Sequence, residues 1–361
     1  MGLGSLNNSF THFHFLCTNY GSNKDGIGHY TSKVVKELGK SKGILIDVYS
    51  GKTEELSKFE LVFSFIMIKE IIKLIRATYK RTNENIIVLE YPFVEYNPLI
   101  LIFLAILKSL VRENSMIVLS LHEYKRTQLL RKLFIKFLLP MADVVLYTKQ
   151  EDVETFRKYN SINFKKRIIP ANIEPDLKEL RKEVNENELN VCFFGIVNYK
   201  TKEIKEMIDG WEKYVQLNSS NRTIKKFHFI SSSNDNQIKS NPNIIYHYNL
   251  DDLEVSSMLK KIHFVILPLK PEISINNGSL AVACIHKCIP VGVFQKEYFQ
   301  KGFGVSMKDY SVNSFFQTFQ DIDRLNNEKI LLKSELAYDY GKSKSIVNCA
   351  KSYLEQLERI N

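Results

Sequence analysis

The sequence predicts an α/β protein built from two doubly wound domains, and three observations predict it. Short apolar runs alternate with longer helical patterns along the amino-terminal half, and a second alternation begins at Val191. Between the halves lies Pro170-Ala-Asn-Ile-Glu-Pro175 followed by the highly charged stretch Asp176 to Glu188, which has the composition of an interdomain hinge. A chain of 361 residues is also long for one core and natural for two.

The elements follow in order. His12 to Cys17 reads as a first buried strand, Thr18 to Gly28 as a loop and His29 to Gly39 as a helix. Ile44 to Tyr49, Ile86 to Glu90, Met116 to Leu121 and Val144 to Tyr147 are short apolar runs suited to a parallel sheet covered on both faces. Helical patterns at Phe63 to Tyr79, Leu99 to Arg112 and Thr127 to Leu139 separate them. In the second half, Val191 to Gly195, Phe227 to Ser231, Ile244 to Tyr248, Phe264 to Pro268 and Pro290 to Val293 read as strands. Helices are expected near Glu203 to Leu217, Asp252 to Lys261, Leu280 to Lys287, Asn313 to Leu325 and Ser345 to Ile360. These periods imply two Rossmann-like domains facing each other across a cleft.

Composition narrows the function classes. The net charge of +10 points to an anionic partner: nucleotide, lipid diphosphate, membrane surface or nucleic acid. Nucleic acid is the poorest account, because no recognition motif or aromatic-basic interleaving supports it. The five cysteines, Cys17, Cys192, Cys284, Cys288 and Cys349, lie among apolar neighbours without zinc-type pairing, as expected of reduced, buried thiols in a cytoplasmic protein. No signal peptide is expected, and the longest apolar run, Pro98 to Leu107, is shorter than the roughly 20 residues a membrane span needs.

The segment from Pro271 to Gly292 reads as a loop opening onto a helix that runs into a buried strand. A helix starting at Asn276-Asn277-Gly278-Ser279 aims unpaired N–H groups and the positive end of its dipole at whatever lies in front, which suits an anion. An ordinary capped helix packed on a sheet explains the same residues equally well.

Several motifs, in order along most of the chain, resemble the GT-B glycosyltransferases, specifically the family-four-like enzymes of bacterial surface polysaccharide synthesis. Gly26-Ile-Gly-His-Tyr-Thr31 is similar to the family's first-strand glycine loop, and Glu90-Tyr-Pro92 to its Gln-Tyr-Pro turn. Leu121-His-Glu-Tyr-Lys-Arg126 resembles a signature of one branch, Ile168-Ile-Pro170 through Ile173 the crossover, Phe193-Phe-Gly195 the first strand of the nucleotide domain, and Val265-Ile-Leu-Pro268 the strand before the donor loop. The resemblance implies an acceptor-binding domain over 1–170, a nucleotide-sugar domain over 171–340 and a last helix, 341–361, returning to the first domain. Typical members carry two glutamates in the donor loop, seven residues between them; here those positions are Ile275 and Ala283. Gly278-Ser279-Leu280 fits an alternative branch, with Asn276 and Asn277 in place of its basic pair.

The implied chemistry assigns roles. Gly195, Lys200, Lys202, Asn277, Gly278, Ser279 and Leu280 would bind the donor, the lysines as diphosphate cations. His122 and Glu123 would act at the reacting centre, and Gly26, Ile27, Gly28 and Tyr91 would line an acceptor or phosphate loop. Solvated surface is the competing reading for the lysines, and a structural role for His122. The expected reaction is retaining and metal-independent, with a nucleotide-diphosphate sugar as co-substrate and no cofactor. Asp321-Ile-Asp323 matches a metal-binding D-x-D only in spacing and is expected on an exposed helix. Residues 125–139 read either as a basic amphipathic helix docking on an anionic membrane beside a lipid-linked acceptor, or as a core-facing helix with a charged outer face. Two other functions stay open: a non-catalytic GT-B subunit that binds glycan or protein, motivated by the absent glutamates, and a sugar epimerase on the same fold.

Overall fold

A computed structural model describes residues 11–22, 25–52, 64–79, 85–91, 93, 97–110, 115–122, 129–148, 150–156, 162–176, 188–217, 224–232, 241–295 and 302–358. The chain forms two compact units, Met1–Ile168 with Ile346–Asn361, and Ile169–Ser345.

In the first unit, β1 (Thr11–Thr18), β2 (Ile44–Gly51), β3 (Asn85–Tyr91), β4 (Ser115–Leu121), β5 (Val144–Tyr147) and β6 (Asn163–Lys166) form a wholly parallel sheet in the order β2-β1-β3-β4-β5-β6. One face packs Phe13, Phe15, Ile86, Val88 and Val118 against α1 (Gly26–Leu38) and the chain's last helix (Ile346–Glu358). The other packs Leu16, Ile87, Leu89, Ile117 and Leu119 against α2 (Ile66–Tyr79), α3 (Leu99–Leu110) and α4 (Leu129–Leu138). A short α5 (Gln150–Phe156) links β5 to β6.

In the second unit, β7 (Leu189–Phe194), β8 (Ile224–Ser231), β9 (Ile244–Tyr248), β10 (Phe264–Ile266), β11 (Ile289–Gly292) and β12 (Val305–Ser306) are again all parallel, in the order β12-β11-β10-β7-β8-β9. Trp211, Tyr214, Phe227 and Phe319 form an aromatic core between the sheet and helices α6 (Ile204–Leu217) and α9 (Val312–Asp323). On the opposite face α7 (Asp252–Leu259), α8 (Gly278–Ile285) and α10 (Asn327–Lys342) cover Cys192, Val265 and Leu267. The last helix, Ile346–Glu358, is α11.

Each strand order reverses once, between β1 and β3 and between β7 and β10. In open parallel sheets these switch points, at the carboxyl ends of the strands, are where ligands bind.

Four elements lie outside the sequence expectation, and each lacks the signal that would have revealed it. β6 reads Asn-Phe-Lys-Lys because it is an edge strand half open to solvent. β12 has two residues and α5 seven. α10 packs through Ile330, Ser334, Ala337, Tyr340 and Gly341, so small residues stand where an apolar stripe would. Its close crossing of α8, where a Cβ on Gly341 would overlap the Ile285 backbone, carries the second unit to Ser345 rather than 340. α1 begins at Gly26 and not at His29, because the Asp25 carboxylate caps the amides of Ile27 and Gly28. All five cysteines are buried free thiols.

Candidate functional site

The switch point of the second unit gathers most of the expected donor residues. Gly195, just past the end of β7, takes φ +132°. Past the following turn, Lys202 bridges to Leu269, just beyond β10. Glu203 N–H donates to the Pro268 carbonyl at 2.9 Å, Lys270 N–H to the Thr201 carbonyl at 2.8 Å, and Lys270 Nζ lies 2.5 Å from the Glu203 carboxylate. These bonds clamp the loop across the switch point and turn Lys202 back toward Gly195. Its Nζ donates to the Ile196 carbonyl at 2.5 Å and lies 5.1 Å from the Phe193 ring centroid. A Cβ on Gly195 would stand 2.9 Å from that Nζ and 3.3 Å from Ser279 Oγ, so Gly195, Lys202 and Ser279 meet at one point. The positive φ favours glycine there, and a side chain would push the Lys202 ammonium aside. Burial lowers the Lys202 pKa to about 8, and no carboxylate among the described residues offsets it.

Ser279 belongs to the first turn of α8. Asn277 caps that helix, its Oδ1 accepting from Leu280 N–H at 3.0 Å. The Leu280 amide is therefore occupied by the cap, while the Gly278 and Ser279 amides, first and second in the helix, have no intrahelical acceptor. Nothing lies within 4 Å of a Cβ on Gly278, so the chain borders open space at that residue. Tyr340 holds the preceding loop by donating its hydroxyl to the Ile275 carbonyl at 2.8 Å. Ile275 packs against the core and Ala283 is buried. Lys200 is exposed in the turn, its N–H bonded to Asn198 Oδ1; of the two candidate lysines, Lys202 is the one that reaches Gly195.

The first unit's strand ends carry a different arrangement. Glu90, at the end of β3, is buried and accepts from Arg167 Nη1 at 3.1 Å and from the Tyr353 hydroxyl at 2.9 Å. His122, just past β4, has Nε2 2.7 Å from Glu90 Oε2 and Nδ1 3.0 Å from Arg167 Nη2. A guanidinium only donates and a carboxylate only accepts, so His122 is neutral with its proton on Nε2. Burial, then Arg167, lowers its pKa against the pull of Glu90. Burial raises the Glu90 pKa, but Arg167 and His122 outweigh it and leave the carboxyl at about 2. Arg167 also reaches Ser120 Oγ and lies 4.3 Å over the Tyr30 ring, whose hydroxyl donates to that of Tyr353. Both ring nitrogens of His122 are committed inside the protein, and a bond from either to a sugar hydroxyl requires this network to open.

The remaining expected residues are placed as follows. The amides of Ile27 and Gly28, expected to face a phosphate, are held by Asp25; Gly28 is fixed by packing, since a Cβ there would overlap the Asn19 carbonyl. Gly26 opens α1. Tyr91 is buried in the core with its hydroxyl on the Arg131 carbonyl at 3.3 Å. Glu123 lies outside the described residues. Asp323 accepts from Ile224 N–H at 3.2 Å, and Asp321 is exposed. Sequence reasoning missed Arg167 and Tyr353 as partners of Glu90; no local pattern marks either.

No family model matches the chain, and no curated protein matches it. Solved structures do. The N-terminal domain of Candida albicans trehalose-6-phosphate phosphatase aligns with TM-score 0.66 and 10% identity over 99% of this chain and 98% of that one. An alpha-glucosyltransferase in complex with UDP and a mismatched 13-mer DNA aligns with TM-score 0.62 and 13% identity over 97% and 99%. An alpha,alpha-trehalose-phosphate synthase (UDP-forming) from Burkholderia xenovorans, in complex with glucose-6-phosphate, gives 0.62 and 8% over 97% and 100%. These full-length similarities establish the fold, two parallel six-stranded α/β units of the GT-B type.

Proposed function

We propose that the protein is a glycosyltransferase that binds a nucleotide-diphosphate sugar at the switch point of its second unit and passes the sugar to a glycan or lipid-linked acceptor in surface polysaccharide synthesis. The observation that carries this reading is the meeting of Lys202 and Ser279, the latter in the first turn of α8, at Gly195. Sugar transfer builds negative charge on the departing diphosphate. A cation and oriented N–H groups stabilise it, each contributing about 3 kcal/mol by analogy with oxyanion donors. Lys202 is desolvated and without a carboxylate partner among the described residues, and a diphosphate supplies a negative charge for it. The fold shared with UDP-bound and UDP-forming proteins supports the same assignment. With apolar residues at 275 and 283, the acceptor proton passes to the leaving phosphate rather than to a donor-loop carboxylate, and no metal is required. A thermal-shift screen against UDP, GDP, TDP, CMP and their sugars tests the reading. A selective rise that is lost in Lys202→Met supports it; a folded protein that responds to no nucleotide removes it. The same apolar pair favours a second reading, a non-catalytic subunit, which nucleotide binding without transfer to any extracted lipid-linked glycan would establish.

A lipid-linked acceptor is favoured by two outward apolar stripes in the first unit. α4 buries Phe134, Ile135 and Leu138, yet leaves Leu129 75% and Phe137 62% exposed, with Leu133 between them. α3 exposes Ile102, Ile106 and Leu110 at the same four-residue spacing. A helix that only faced the core would present a charged outer face, whereas these stripes lie beside Lys132 and Lys136 as on a membrane-docking helix. No helix among the described residues is long and apolar enough to cross a membrane. Co-sedimentation with vesicles containing anionic lipid, lost in Leu129→Ser/Phe137→Ser, is expected; equal sedimentation of wild type and variant would reject the docking role.

A further inference from the structure

The transfer chemistry makes no use of a group of metal-ligand side chains on the opposite face of the first sheet from Glu90. His12 and His14 are buried and project from the same face of β1, their rings stacked with centroids 4.1 Å apart. Asp47 comes from the edge strand β2, where it is in register with His14. Its Oδ2 lies 3.0 Å from His12 Nε2 and 3.8 Å from His14 Nδ1, and one ligand atom from each of the three residues falls within a 4.8 Å spread.

We propose that His12, His14 and Asp47 bind one divalent transition-metal ion, with zinc the best match to the donors, and that the ion ties β2 to β1. Bonds of about 2.0–2.1 Å in a tetrahedral site put ligand atoms about 3.3 Å apart. The two measured separations from Asp47 bracket that value. Two imidazoles and a carboxylate are the donors of a borderline ion and exclude a calcium or magnesium preference.

The surroundings of His14 supply an independent indication. Asn85, in register with His12, turns its amide nitrogen to Ser115 Oγ at 3.3 Å, so its Oδ1 faces His14 and lies 3.0 Å from Nε2. That acceptor places the His14 proton on Nε2 and the lone pair on Nδ1, the atom that faces Asp47. A second-shell acceptor that fixes the tautomer in this way is the usual companion of a metal-bound histidine. Without metal, the His14 lone pair is 3.4 Å from the Tyr49 hydroxyl and His12 donates to Asp47. Metal binding therefore displaces both contacts, and the proton of a neutral His12 ring moves from Nε2 to Nδ1 as Nε2 takes the metal. The Asp47 side chain is 42% exposed, which gives the ion a path from solvent and leaves room for water as fourth ligand. Glu90 stands five residues further along β3 than Asn85, the partner of His12, so the ion would act on the sheet and not on the transfer site.

The test uses the full-length chain stripped with a chelator. Zinc binding is measured by competition with a chromophoric chelator, and the coordination sphere is read from the visible spectrum of the cobalt-substituted protein. The expected result is one saturable site, a zinc-dependent rise in melting temperature, and a four-coordinate cobalt spectrum without the charge-transfer bands of a thiolate. Asp47→Asn and His12→Gln should each weaken zinc at least about tenfold, and affinity should fall as pH drops below the ordinary histidine range. His228→Gln is the control, because His228 and His247 form a second close pair, Nδ1 to Nε2 at 3.0 Å. Three results would overturn the proposal: no saturable site in the wild type, a site unchanged in both variants, or a site that disappears in His228→Gln.

Discussion

The two units are built to one plan and differ at the ends of their strands. Both have six parallel strands, one reversal of strand order and helices on both faces. At the first unit's strand ends, Glu90, Arg167, His122, Ser120 and Tyr353 bond one another and pair the buried charges, with Arg167 Nε left unpartnered. At the second's, Lys202 has a carbonyl and an aromatic face but no counter-charge among the described residues, and the first two amides of α8 have no intrahelical acceptor. An edge whose buried charges are paired stabilises the unit that contains it. An edge with unspent donors is less stable alone and gains from an anion. Substitution should therefore act with opposite sign on stability in the two places.

The largest effect belongs to the buried network. Arg167→Met strands the Glu90 carboxylate without its cation, and breaking a buried pair on one side costs about 3–5 kcal/mol. Urea unfolding of the first unit, followed by a probe on α11, should show that loss. The double variant Glu90→Gln/Arg167→Met should recover a large part of it, because no uncompensated charge remains. If the single variant is as stable as the wild type, the charges of the network are not paired as described.

Lys202→Met reverses the sign. Removing a desolvated, unpaired ammonium should leave thermal stability equal or higher, while affinity for a nucleoside diphosphate falls about 10–100-fold, the value of one charge-assisted hydrogen bond of about 1.5–3 kcal/mol. Isothermal titration and a melt of the same preparation read both signs; a loss of stability together with unchanged affinity would make Lys202 a structural residue. Gly195→Ala is the intermediate case. Its backbone lies in the left-handed region and its Cβ would crowd Lys202 Nζ, so a cost of about 1–3 kcal/mol is expected together with weaker binding.

How far the sequence revealed this contrast depends on how local each part is. Strands such as Ile86 to Glu90 and Val144 to Tyr147 were legible because both faces are buried and the run is apolar up to its last residue. The α8 amino terminus was legible because Asn277, Gly278 and Ser279 are adjacent and carry a capping signature. The use of Leu280's amide by the cap, and of Ile27's and Gly28's by Asp25, was not, since a turn of suitable composition does not reveal which amides its own side chains occupy. Arg167 was illegible for a different reason. It follows a polar edge strand and meets Glu90 across 77 positions, so only the strand order β3-β4-β5-β6 brings them together. His12 and His14 passed as strand residues because their third partner, Asp47, is on the next strand and the only cue was the spacing of two histidines.

The smallest predicted effect is the pH dependence that follows from Lys202, and it sharpens the contrast without a substitution. Burial holds its folded-state pKa at about 8, below the ordinary lysine value. The destabilisation is fully present below pH 8, where the lysine is charged in both folded and unfolded chains. It is relieved as pH rises from 8 toward the unfolded value of about 10.4, because the unfolded chain then binds more protons. Binding of a nucleoside diphosphate runs the other way, since it needs the ammonium. With a pKa of about 8, the charged fraction falls about tenfold between pH 7 and pH 9, and affinity should fall by up to that factor. A titration series across this range, repeated on Lys202→Met, separates Lys202 from the ligand's own ionisation. The wild type should lose affinity steadily and the variant, already weak, should show a flat profile. Parallel slopes in the two proteins would assign the pH dependence elsewhere and remove the unpaired cation from the account of the second unit.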